Sequence, residues 1–137
     1  RRRWQVLSNT YPRLRIFADY SMLDSASNPT VNLIKRMVNI TSVYFYNILT
    51  VDRLDVLYYP ANISAECGGA KIPQKYISEG VVNADTGVMV VNEKDNAAAA
   101  DIAKSTSCVY LKSNNRPIWG MMSWNDLNLK YDQEGFQ

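Results

Sequence analysis

The stretch from residue 28 to about residue 50 constrains this chain more than any other. Asn28 is a residue type that accepts hydrogen bonds at a helix amino terminus. Pro29 follows with φ already set for the first helical position and no N–H to satisfy. Ile34, Met37, Val38, Thr41, Phe45, Ile48 and Leu49 then recur at three- and four-residue intervals, the spacing of one helical face. Asn32, Lys35, Arg36 and Asn39 fall on the other face. A long amphipathic helix must lay its apolar face on something, and the flanking sequence supplies strands. Residues 14–20, 54–59, 105–111 and 118–124 read as strands. Residues 88–91 (VMVV) form a short apolar run of the kind found in a central strand buried on both faces. Gly68-Gly69 and Pro73 mark a loop, and Asn114-Asn115-Arg116-Pro117 a turn. The alanine run 97–100 is a helical turn or part of a loop, and the polar segment from Asp126 is a candidate helix start. One long helix and several strands give a mixed α/β (α+β) fold in a single domain over residues 1–137, with neither an internal repeat nor a low-complexity segment beyond the alanines.

Charge and composition remove several function classes. A net charge of +2 is too small to argue for nucleic acid. The basic residues cluster at the start, Arg1-Arg2-Arg3 with Arg13 and Arg15 behind them. That pattern reads first as a processing junction or a solvated end, and second as a phosphate- or membrane-binding arm. No apolar run approaches the ~18 residues that span a bilayer. With no histidine among 137 residues, a Ser-His-Asp triad is ruled out in this chain. Gly68-Gly69 is not followed by the Gly-Lys-Ser/Thr of a phosphate loop. Glu66 and Glu79 both lie in the loop region, where surface or structural carboxylates outweigh a glycosidase pair. Tyr110, Trp119 and Trp124 offer aromatic area for stacking on a sugar or a peptide, although aromatics on strands are more often half-buried core.

Two cysteines, Cys67 and Cys108, are compatible with a disulfide and with two free thiols. A bridge between them would close a loop of about 42 residues, worth roughly 4 kcal/mol in the chain-entropy account. Two N-glycosylation sequons, Asn39-Ile40-Thr41 and Asn62-Ile63-Ser64, tilt the compartment toward a secreted or cell-surface one; Asn28-Pro29-Thr30 is excluded by its proline. Asn39 falls on the polar side of the helix, so a sugar there would point to water.

A series of short motifs between Cys67 and Asn125 carries a family resemblance. In order they are Cys67-Gly68, Ile72-Pro73-Gln74, Ile77-Ser78-Glu79-Gly80, Asn83-Ala84-Asp85, Val88-Met89-Val90, Ile102-Ala103-Lys104-Ser105-Thr106-Ser107-Cys108 and Pro117-Ile118-Trp119-Gly120. Together they resemble the leishmanolysin family of surface zinc metallopeptidases, which are metzincins. Lys130-Tyr131-Asp132-Gln133 resembles the segment leading into that family's zinc helix. The first third of the chain matches in element order alone, and a cysteine pair found there in some members is absent.

The resemblance implies a metzincin-like amino-terminal subdomain: a twisted mixed sheet with one long backing helix and an antiparallel edge strand. That edge is the upper rim of the active-site cleft and binds substrate peptide by strand addition. The matching positions here are Ile102, Ala103, Lys104, Ser105, Thr106 and Ser107; an ordinary edge strand is the plainer reading of the same residues. The family pairs cysteines at the positions of Cys67 and Cys108. Its reaction, hydrolysis of peptide bonds by zinc-activated water, uses H-E-x-x-H and a further histidine, and this chain has none. The zinc helix is therefore expected beyond residue 137, zinc belongs to the parent enzyme, and no catalytic or metal-binding residue is expected here. The implied partners are the remainder of the same catalytic domain and a peptide substrate, with any membrane attachment lying outside this chain. The alternative function is a non-catalytic extracellular adhesion or structural module of the same fold. A glycan-binding module using the three aromatics is a weaker third reading.

Overall fold

The computed structural model describes residues 12–23, 28–92 and 103–125. In chain order these form β1 (Ile16–Met22), α1 (Asn28–Ile48), β2 (Val56–Leu57), β3 (Glu66–Cys67), β4 (Ala70–Lys71), α2 (Lys75–Ser78), β5 (Val81–Val82), β6 (Thr86–Asn92), β7 (Ala103–Tyr110) and β8 (Pro117–Trp124). The class is mixed α and β. One four-stranded sheet runs β1-β6-β8-β7, and two small antiparallel pairs, β2–β5 and β3–β4, stand beside it.

β6 is the pivot. It pairs parallel with β1, from Ile16 opposite Thr86, and parallel with β8, from Gly87 opposite Trp119. Its alternation explains why an apolar run was needed there. Met89 enters one core with Trp119, Met121, Val109, Tyr59 and Tyr76. Val88 and Val90 point the other way, into a second core with Leu23, Ile34 and Val38. Trp119 is fully buried, stacks against Tyr59 and Tyr76, and donates its indole N–H to the Tyr58 carbonyl at 3.1 Å. An indole N–H buried without an acceptor would cost part of what the ring's burial gains, and here the acceptor is present.

α1 lies on the Val88/Val90 face, and its two halves differ. In the first half Thr30, Leu33, Ile34 and Val38 are buried. In the second half Thr41, Ile48 and Leu49 are exposed and Phe45 is only half-buried. The expected continuous apolar face thus holds for Ile34, Met37 and Val38 and fails for Thr41, Ile48 and Leu49. Periodicity reports which side of a helix is apolar, but not how far the partner sheet extends beneath it. The helix ends at Ile48 rather than Thr50 because the chain turns to pair with residues 12–14. Leu14 N–H donates to the Leu49 carbonyl at 3.1 Å, and Val51 N–H to the Pro12 carbonyl at 3.0 Å. The Arg13 guanidinium donates to the Asn47 carbonyl at 2.6 Å, placing positive charge at the carboxyl end of the helix, where the peptide dipoles favour it.

The expected strand over 54–59 shrinks to Val56–Leu57. Its neighbours spend their backbone groups elsewhere: Leu54 N–H on the Asp85 carboxylate and Tyr59 N–H on the Tyr76 carbonyl. Gly80, at φ 74°, closes the small β2–β5 layer. A Cβ there would lie 2.5 Å from Val56 Cγ1 and 2.9 Å from the Leu57 carbonyl oxygen. The alanine run, the polar segment from Asp126, the Lys130–Gln133 motif and Arg1 to Arg3 lie outside the described residues. No described helix is long and apolar enough to cross a membrane.

Candidate functional site

β7 lies at the edge of the sheet, antiparallel to β8, and among the described residues no strand pairs with its outer side. Ala103, Lys104, Ser105, Thr106 and Ser107 are all exposed. Ile102 lies outside the described residues. Cross-strand partners share a face. Ala103, Ser105 and Ser107, opposite Trp124, Met122 and Gly120, therefore belong to the α1 side, and Lys104 and Thr106, opposite Ser123 and Met121, to the other. The short polar side chains leave the strand's backbone edge uncluttered. An edge of this kind can accept another extended chain through main-chain hydrogen bonds. Gly120 lets β8 approach closely, since a Cβ there would sit 2.8 Å from the Thr106 carbonyl oxygen.

The carboxyl end of β7 is clamped. Cys67 and Cys108 form a disulfide with Cα atoms 5.5 Å apart, and Cys67 is fully buried. The β7–β8 register shifts between Ser107 and Val109, so the bridge leaves the strand at an irregularity. Gly68 follows in the left-handed conformation at φ 58°. A Cβ at that position would strike Met121 Cε at 2.5 Å and Thr106 Cγ2 at 2.8 Å, so glycine allows the loop to lie against the strand. A disulfide of this kind is compatible with an extracellular protein.

On the α1 side the described residues cover the sheet only in part. Two adjoining hollows of about 460 Å³ and 330 Å³ run over β8 and β7 and share Ser105 and Met122. Met37, Ile40 and Thr41 of α1 wall the larger, and Trp124 contributes at its far end. The helix beside this groove is unusual in charge: no aspartate, glutamate, lysine or arginine occurs from Met37 to Val51. Ile40, Val43, Tyr44, Tyr46 and Ile48 are all exposed. This charge-free run was the available sequence signal for the groove; periodicity alone did not reveal it.

Two buried carboxylates hold the sheet from behind. Asp85 is fully buried and accepts from Arg15 Nε, Arg15 Nη2, Arg15 N–H and Leu54 N–H, each at 3.0 Å. Burial alone would raise its pKa, but the Arg15 guanidinium and the two backbone donors hold it below the usual carboxylate range. Arg15 is correspondingly raised by its bond to Asp85. Asp19 accepts from Ser21 N–H at 2.8 Å, from the Ser21 hydroxyl at 2.5 Å and from the Tyr76 hydroxyl. Burial again pushes its pKa up, and the hydrogen bonds of Ser21 and Tyr76, with the charge of Lys75, bring it below the ordinary value. The Tyr76 phenol is held well above its ordinary value by burial and by Asp19. Both carboxylates tie loops to strands and neither faces the groove or the edge of β7. Arg13 and Arg15, grouped by sequence with a basic arm, are instead committed to a helix end and to Asp85.

The three aromatics do not share a surface. Trp119 is in the core on one side of the sheet, Trp124 packs toward α1 on the other, and Tyr110 is exposed near the end of β7. That removes the stacking platform. Glu66 and Glu79 are exposed. Asn39 is exposed on α1, and Asn62 is exposed in the turn before β3. Among the described residues no three histidine, cysteine, aspartate or glutamate side chains converge as a metal site. Neither the protein-family models nor the curated proteins searched match this chain.

Proposed function

We propose that this chain is the amino-terminal part of the catalytic domain of a leishmanolysin-like zinc endopeptidase. In this reading β7 forms the upper rim of the cleft and holds a substrate peptide by strand addition. The observation that carries it is the antiparallel edge strand with five successive exposed residues, 103–107, on a sheet otherwise parallel. The partly covered groove between α1 and β7–β8 supports it, because a further apolar helix of the same domain would find its seat there. The order of motifs from Cys67-Gly68 to Trp119-Gly120 supports the family. The residues present do not fit the metal: histidine is absent, and Cys67 and Cys108 are bonded to each other. Zinc therefore belongs to residues outside this chain, and no step of the hydrolysis is assigned to the residues described. A non-catalytic adhesion or structural module is the competing reading, motivated by the same lack of histidine.

The test uses the full-length parent, activated and metal-replete. It should cleave members of a peptide library and lose that activity to a zinc chelator; a parent that cleaves nothing would sink the peptidase reading. The rim is tested by Ser105→Pro and Thr106→Pro. Successive N–H groups of an edge strand point alternately to the neighbour and outward. One proline therefore removes a bond to β8 and the other a bond to substrate. The second should raise KM by about 2–10-fold, the value of a backbone hydrogen bond of about 0.5–1.5 kcal/mol, with little loss of stability. If both folded variants keep the wild-type KM, β7 is not the rim.

A further inference from the structure

We infer that Asn62 carries an N-linked oligosaccharide. The inference rests on the disulfide and on the local geometry, and is independent of the peptidase reading. A sequon accepts a glycan when its asparagine amide and the hydroxyl two residues on are both reachable by the transferase. Asn62, Ile63 and Ser64 are all exposed in a turn outside regular secondary structure. Neither the Asn62 nor the Ser64 side chain makes a hydrogen bond to another described residue. The turn is held instead from its inner side, where the Tyr59 hydroxyl donates to the Ser64 and Glu66 carbonyls, both at 3.1 Å. A sugar on Asn62 therefore displaces no packing. The second sequon shows what an encumbered site looks like. Asn39 lies in the middle of α1, and the Thr41 hydroxyl is spent on the Met37 carbonyl at 2.9 Å.

The compartment follows from the neighbouring bridge. Cys67, three residues after Ser64, is buried and bonded to Cys108. Disulfides persist where the secretory route is oxidising, and oligosaccharide transfer takes place on that route. The donor is a lipid-pyrophosphate-linked oligosaccharide. A bond forms between Asn62 Nδ2 and the anomeric carbon, and the bond from that carbon to the pyrophosphate oxygen breaks. The lipid pyrophosphate leaves with the electron pair, the amide gives up one proton, and nothing is oxidised or reduced. The attached chain would shade Ile63, 43% exposed.

The experiment is peptide mapping of the full-length parent secreted from a eukaryotic host. The digest is compared before and after an amidase that removes N-glycans and converts the bearing asparagine to aspartate in heavy-oxygen water. The peptide spanning residue 62 should appear only after treatment, as labelled aspartate. Asn62→Gln and Ser64→Ala should each lose one glycan's mass, and Ser64→Thr should keep it. The wild-type map needs no variant, so a variant that is not secreted does not blunt the test. Recovery of the spanning peptide with unmodified Asn62 as the whole of the secreted protein would overturn the inference.

Discussion

Replacing Asp85 probes the heart of this fold. Asp85→Ala leaves two backbone donors, the N–H groups of Arg15 and Leu54, without their acceptor in a site where the carboxylate was fully buried. Each such orphan costs about 1–3 kcal/mol. The Arg15 guanidinium also loses its ion pair, but it keeps the Leu54 carbonyl at 3.1 Å and is 22% exposed, so water relieves part of that loss. The sum is about 4 kcal/mol, within the roughly 3–5 kcal/mol seen when one partner of a buried pair is removed. Asp85→Asn keeps the shape and one acceptor oxygen and should cost about 2 kcal/mol, the difference between charged and neutral hydrogen bonds. The assay is urea unfolding of the purified protein across a pH series. Because the folded pKa of Asp85 lies below its unfolded value, its stabilisation is present above the unfolded pKa of about 3.9. It is lost as pH falls through the folded pKa. The asparagine variant should therefore show a shallower loss of stability in acid; Asp19, also depressed, retains its share. A cost below about 1 kcal/mol for Asp85→Ala, or an unchanged acid slope for Asp85→Asn, would refute the argument.

Two further outcomes follow from the packing around Trp119. Gly87→Ala should cost about 1–3 kcal/mol in thermal unfolding, because the new Cβ would fall 2.4 Å from Trp119 Cζ3 in a fully buried ring. Tyr76→Phe keeps the ring between Phe17 and Trp119 but removes the hydroxyl that donates to Asp19. It should cost about 1.5–3 kcal/mol, as for a hydrogen bond to a charged group, and should move the acid loss of stability to higher pH as Asp19 loses a donor.

Much of the sheet was legible because its signals are local. The VMVV run, the Pro117 turn and the Asn28-Pro29 start each declare themselves within a few residues, and β6, β8 and α1 lie where those signals put them. What escaped depends on residues far apart in sequence. Whether Thr41, Ile48 and Leu49 are covered depends on how far the sheet extends beneath α1, which no helical period encodes. Asp85 looked like one letter of a motif until Arg15 and Leu54 were seen to meet it. The edge position of β7 follows from strand order, a property of the whole topology; it was expected from the motifs around 102–108 that resemble a known family, and not from any periodicity of the strand itself.

The strand order also dictates how the protein can be made. β1 is synthesised early, yet among the described residues its partner in the main sheet is β6, with Ile16 waiting for Thr86. β6 in turn waits for β8 on its other side. Parallel pairings of such sequence separation close slowly, because the loop entropy must be met before any contact rewards it. A chain emerging amino terminus first, at roughly 5–20 residues per second, therefore presents an unpaired β1 and an uncharged half of α1 for seconds. Over the same interval Cys67 lacks its disulfide partner, because Cys108 has not yet been translated. Nascent chains of this protein should accordingly engage chaperones until β8 is added, and the bridge can close once Cys108 of β7 has emerged.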